Sequence, residues 1–94
     1  MKVCWDREAL ADIRKVRAFV AKDSPAAAIR VADRIRQSAR ILETNPEAGV
    51  AVRGRSVRRW IEPVYGYVLV FQIRAEDGSV WILNIFHPRQ NRPE

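Results

Sequence analysis

Residues 67–86 read YVLVFQIRAEDGSVWILNIF, and this stretch decides the fold. Two apolar runs rich in β-branched and aromatic residues flank Asp77-Gly78, a dipeptide that turns the chain tightly because glycine accepts a positive φ. The pattern predicts an antiparallel hairpin with strands over residues 67–75 and 79–86. A period of two places Tyr67, Leu69, Phe71 and Ile73 on one face of the first strand and Val68, Val70 and Gln72 on the other. In the second strand, Trp81, Leu83 and Ile85 fall opposite Val80, Ile82 and Phe86. Both faces are apolar, so each needs a cover.

Working back from the hairpin, Gly66 and Pro63 bracket a turn, and residues 55–62 form a third strand reached through a loop over about 45–52. Ahead of that loop the apolar period changes to three and four. Ala9, Leu10, Ile13, Val16, Phe19 and Val20 mark one amphipathic helix over residues 7–22, with Asp6 as its N-cap. Ala28, Val31, Ala32, Ile35, Ala39 and Leu42 mark a second, opened by Ser24 as cap and Pro25 in the first turn and ended by Asn45-Pro46. The short connection between them permits an antiparallel helical hairpin. Residues 2–5 form a short leading strand.

The predicted fold is therefore α+β: a short N-terminal strand and a helical hairpin packed on a mainly antiparallel sheet of three to four strands. Two helices cover one face of such a sheet. The other face, with Val68 and Val70, reads as a docking groove for another chain, against the alternative of a sheet that curls over its own second face.

Ninety-four residues allow one domain, 1–94, with 48% apolar and 30% charged residues. A chain of this length buries only about 60–65% of its unfolded surface, so a partner that covers apolar area adds to its stability. Cys4 and His87 are the sole cysteine and histidine, which excludes an internal disulfide and a zinc site built from those ligands, and no cofactor is expected. Charges at Lys2, Asp6, Arg7 and Glu8 interrupt residues 1–10, which does not suit a signal-peptide core. No run approaches the roughly 20 apolar residues of a membrane span. A cytoplasmic location is expected.

Fourteen arginines and three lysines against 11 acids give a net charge of +6. Arg53, Arg55, Arg58 and Arg59 are the densest basic cluster, suited either to clamping phosphate or carboxylate groups or to protecting a solvated strand edge. His87 closes the last strand ahead of Pro88, and Arg89 and Arg92 follow it.

Several motifs in order and spacing carry a family resemblance. They are Trp5-Asp6-Arg7-Glu8-Ala9 with Asp12-Ile13, Ser24-Pro25-Ala26-Ala27, Leu42 followed by Asn45-Pro46-Glu47-Ala48-Gly49, Arg58-Arg59, Tyr67-Val68-Leu69-Val70-Phe71, and Ile82-Leu83-Asn84-Ile85-Phe86-His87-Pro88-Arg89. Together they resemble the RelE/ParE superfamily of toxins from bacterial type II toxin-antitoxin systems, most closely the ParE side. RelE-like members cut messenger RNA on the ribosome, using an arginine in the central strand and a tyrosine near the C-terminus. ParE-like members poison DNA gyrase without being nucleases. This chain has Val68 where the RelE-like pattern Gly-Tyr-Arg-Leu-Val-Tyr has arginine, and no tyrosine follows Tyr67.

The resemblance implies a gyrase-inhibiting toxin, not an enzyme, held in a hetero-oligomer with a cognate ParD-like antitoxin and with no sequence-specific nucleic-acid binding of its own. For such a toxin the basic residues after the last strand, His87, Arg89 and Arg92, are the expected target contacts, and the basic cluster Arg53, Arg55, Arg58 and Arg59 with the apolar Val68 and Val70 are the expected antitoxin contacts. Two alternatives stand beside it: a RelE-like ribosome-dependent mRNA endonuclease, and a nontoxic relative that retains only antitoxin binding.

Overall fold

Asp6 and Ser24 start the two helices by the same chemistry. The Asp6 carboxylate accepts the Glu8 amide at 3.2 Å and Ser24 Oγ accepts the Ala27 amide at 3.1 Å, so each satisfies a first-turn donor that has no partner within its helix. Pro25 sits in the first turn of the second helix, where its missing N–H costs nothing. The structure, a computed structural model, describes residues 1–89. It runs β1 (Lys2–Trp5), α1 (Arg7–Ala21), α2 (Pro25–Thr44), a 3-10 turn (Pro46–Ala48), β2 (Val50–Ala51), β3 (Arg58–Ile61), β4 (Val68–Arg74) and β5 (Ser79–Phe86).

The architecture is the expected α+β arrangement, but the sheet has five strands in the order β1-β5-β4-β3-β2. β1 pairs parallel to β5 and every other pair is antiparallel. The additional strand, β2, lies in what reads from sequence as a loop. Arg58 accounts for it: Nε and Nη2 both donate to the Gly49 carbonyl, at 3.2 and 3.0 Å, and draw the chain against β3. Val50 and Ala51 then pair with Arg59 and Arg58. β3 begins at Arg58 instead of residue 55, because a turn closes ahead of it through Val52 N–H to Val57 C=O and Arg55 N–H to Val52 C=O.

The core lies between the helical hairpin and one sheet face. All six apolar residues predicted for α2 are buried, and α1 contributes Ala9, Ile13 and Val16. Leu10 and Phe19, placed on the same stripe of α1 by sequence, are instead 40% and 49% exposed. Their surface is open because α1 packs on β5 and α2 through a narrower stripe.

The strand faces differ from strict alternation at one place. Val70 pairs with Asn84 and Phe71 with Ile82, so Leu83 is an extra residue in β5 with no partner on β4. The bulge resets the pleat. Ile85, expected opposite Val80 and Ile82, joins them in the core at 1% exposure. Beyond Trp5, β1 no longer covers the edge of β5, and the Asp12 carboxylate takes over by accepting the Ile85 amide at 2.9 Å. This bond fastens α1 to the sheet.

Gly49 is required by a close approach. A Cβ there would lie 2.4 Å from Cζ of Phe71, whose ring is fully buried. Gly49→Ala is expected to lower stability by about 1–3 kcal/mol through overpacking, read as a reduced urea midpoint with an unchanged slope.

Candidate functional site

The C-terminal end of β5 meets the turn between β3 and β4, and a chain of hydrogen bonds joins them. Glu62 begins that turn. Its side chain is fully buried, and its carboxylate accepts the Val64 amide at 2.7 Å, the Tyr65 amide at 2.6 Å and Arg34 Nε of α2 at 3.2 Å. Three donors on one carboxylate, one of them cationic, satisfy a charge that burial alone would penalise severely. Glu62 N–H donates to Tyr67 C=O, and Gly66, at φ +83, completes the reversal.

The turn in turn holds His87. Its Nε2 lies 3.1 Å from the Tyr65 carbonyl, and its Nδ1 lies 3.1 Å from the Arg89 amide. A carbonyl can only accept and an amide N–H can only donate, so Nε2 carries the proton and the Nδ1 lone pair accepts the Arg89 amide. The imidazole also meets the Tyr67 ring edge-on at a centroid distance of 5.0 Å. Arg89 is exposed beyond it. Of the three predicted target contacts, His87 and Arg89 are thus adjacent, and Arg92 lies outside the described residues.

The predicted antitoxin contacts separate into two groups. Arg53 and Arg55 are exposed in the turn before β3, and Arg59 is exposed on the sheet face away from the helices. Among the described residues, none of these three guanidinium groups has an ion pair. Arg58 points to the opposite face and is committed to the Gly49 carbonyl. Val70 is half-buried, whereas Val68 is only 3% exposed and presents almost no surface. The apolar exposure of this region lies instead at Ile61 and Val50, 59% and 72% exposed, which line a cavity of about 300 Å³ with Ala48, Arg59 and Trp60 at the β2–β3 edge.

A second cavity of about 300 Å³ opens between the helices and β1, lined by Trp5, Leu10, Ile13, Arg36, Ala39 and Arg40. Its apolar floor and its two guanidinium groups suit an apolar side chain flanked by carboxylates. Sequence reasoning placed Leu10, Ile13 and Ala39 only on helix faces and Trp5 only in the leading strand. It also missed Glu62 and Arg34. The available signal was a glutamate directly before Pro63 with glycine four positions on, a spacing that lets a carboxylate turn back onto the next amides.

Comparison with known proteins bears on the site. The family model described as the ParE toxin of type II toxin-antitoxin system, parDE, matches residues 3–92. The chain is 33% identical over 86 residues to Toxin RelE2 of Caulobacter vibrioides, covering 92% of this chain and 93% of that protein. In fold it is similar to a chain of the chromosomal ParDE TA system from P. aeruginosa, with a TM-score of 0.78 and 20% identity over 93% of this chain and 95% of that one. It is also similar to a chain of the intact E. coli RelBE toxin-antitoxin complex, with a TM-score of 0.69 and 21% identity over 97% and 98% of the two chains.

Replacing His87 by Ala removes two hydrogen bonds and the Tyr67 ring contact. Stability is expected to fall by about 1–3 kcal/mol, measured by urea unfolding followed through tryptophan fluorescence.

Proposed function

Because the chain belongs to the ParE toxin family of type II toxin-antitoxin systems, we propose that it is a toxin that binds DNA gyrase and prolongs the cleaved DNA intermediate, without cutting nucleic acid itself. The observation that carries this reading is the condition of the two positions on which a nuclease of the wider superfamily would draw. The central-strand position is Val68, an apolar and buried side chain. The candidate base, His87, has both ring nitrogens engaged by backbone groups. A general base needs a free lone pair within reach of the attacking hydroxyl. His87 serves instead as a clasp that presents Arg89, and Arg92 adds a second positive charge to the sequence that follows.

A ParD-like antitoxin neutralises the toxin in a hetero-oligomer formed in the cytoplasm, and residues 1–94 act as one toxin domain. The toxin offers the antitoxin two surfaces of suitable chemistry. The cavity between the helices takes an apolar side chain with carboxylates near Arg36 and Arg40, and the β2–β3 edge takes acidic groups against Arg53, Arg55 and Arg59 with apolar contacts at Ile61 and Val70. Charge complementarity at such rims raises the association rate. No helix among the described residues is long and apolar enough to cross a membrane.

The second reading, a ribosome-dependent mRNA endonuclease, draws on the 33% identity to a protein named Toxin RelE2. One experiment separates the two. Induced expression without antitoxin is expected to halt division and raise a DNA-damage response while bulk translation continues, with no early mRNA cleavage by primer extension. Prompt cleavage at codon boundaries would establish the nuclease.

The double variant Arg89→Ala, Arg92→Ala is expected to reduce killing by about 10-fold or more, since exposed arginines anchor interfaces while adding little to stability. It should keep its melting temperature and still co-purify with the antitoxin. Full toxicity of this variant, counted as surviving colonies, would move the target contact to Arg53, Arg55 and Arg59.

A further inference from the structure

The buried Glu62 carboxylate holds a turn that meets His87 of the C-terminal segment through the Tyr65 carbonyl and the Tyr67 ring. Tyr65 is pinned at both ends of its peptide frame: its N–H donates to Glu62 Oε1 at 2.6 Å, and its C=O accepts His87 Nε2 at 3.1 Å. His87 passes the constraint on, because Nδ1 accepts the Arg89 amide at 3.1 Å. Below the imidazole, Gly66 leaves room for it; a Cβ there would lie 3.4 Å from Nε2. Arg34, on α2, closes the series at its other end through Nε to Glu62 Oε2 at 3.2 Å, with its side chain 37% exposed.

From these contacts we infer that Glu62 is a positioning residue for the C-terminal contact segment, acting on Arg89 through Tyr65 and His87, with Arg34 as its counter-ion. The physical reason lies in the geometry of the turn. Val64 and Tyr65 donate to different oxygens of one carboxylate, which fixes the rotation of both peptide planes and therefore the direction of the Tyr65 carbonyl. A neutral amide cannot replace it, because Gln offers one acceptor and one donor where two acceptors are needed. The inference rests on the reading of Arg89 as a target contact, but its physical core, the coupling of Glu62 to Arg89, can be measured without any target.

The test uses the full chain bound to its antitoxin, with amide hydrogen exchange read residue by residue. In Glu62→Gln the Arg89 amide is expected to exchange about 10-fold faster or more, following loss of a charge-assisted bond. Arg34→Met, which removes one donor from a half-exposed position, should raise it by about 3-fold. Gly49→Ala, destabilised at a distant place, serves as the control and should leave Arg89 exchange unchanged relative to global unfolding. Glu62→Gln should also lose about 10-fold in affinity for purified gyrase while keeping its affinity for the antitoxin. Unchanged Arg89 exchange in Arg34→Met and in Glu62→Gln overturns the coupling, and should Glu62→Gln fail to fold, Arg34→Met decides alone. Equal acceleration in Gly49→Ala also overturns it, since the effect would then be general loosening. Fast Arg89 exchange with full toxicity of Arg89→Ala leaves the coupling standing and removes the target reading instead.

Discussion

The extra residue at Leu83 constrains the course of the chain from Asn84 to His87. Up to Ile82, β5 alternates in step with β4; after Leu83 the step is reset, and Ile85 turns inward against Leu69. The same reset aims the Ile85 amide at Asp12 of α1, where the edge of β5 has lost β1. It also brings Phe86 opposite Val68, so the chain leaves the sheet beside the Glu62–Tyr67 turn. His87 can reach Tyr65 only from that exit. A straight β5 would send Ile85 to the opposite face and deprive α1 of its bond, because a one-residue slip exchanges the two faces of a strand.

The 14 arginines are not one population. Arg34 and Arg58 hold the fold together, one on a buried carboxylate and the other on a backbone carbonyl. Arg74 lies over the Trp81 ring at 4.6 Å and donates to Gln72. Arg36 has an exposed partner in Asp33, a pair of small energetic value. Arg53, Arg55, Arg59 and Arg89 are exposed, and among the described residues their guanidinium groups make no ion pair. Net charge therefore overstates what is available to a partner, and contact geometry decides which charges are free.

The helices were legible because their signals are local. Asp6, Ser24, Pro25 and the period of α2 each act within one or two turns, and the structure repeats them closely. The strand hairpin around Asp77-Gly78 was legible for the same reason. The bulge at Leu83 was not, since alternation of apolar residues on both faces of β5 fits either register equally well. β2 depends on Arg58 reaching a carbonyl nine residues back, and the C-terminal clasp depends on Glu62 and His87, which are 25 positions apart. Such contacts leave no periodic trace. The exposure of Leu10 likewise follows from the angle at which α1 rests on the sheet, which its own stripe does not specify.

β1 pairs in parallel with β5, Lys2 against Ser79 and Trp5 against Ile82. The first strand made thus has no hydrogen-bonding neighbour until the last strand exists. At the usual pace of synthesis, about 5–20 residues per second, roughly 4–15 s separate the two. Throughout that interval the sheet edge next to β1 is missing, Asp12 has no amide to accept, and the residue that will carry the clasp has not yet been added. Time on the ribosome is therefore a grace period in the life of the cell that makes this protein, during which a nascent chain has its apolar helices but not the finished surface.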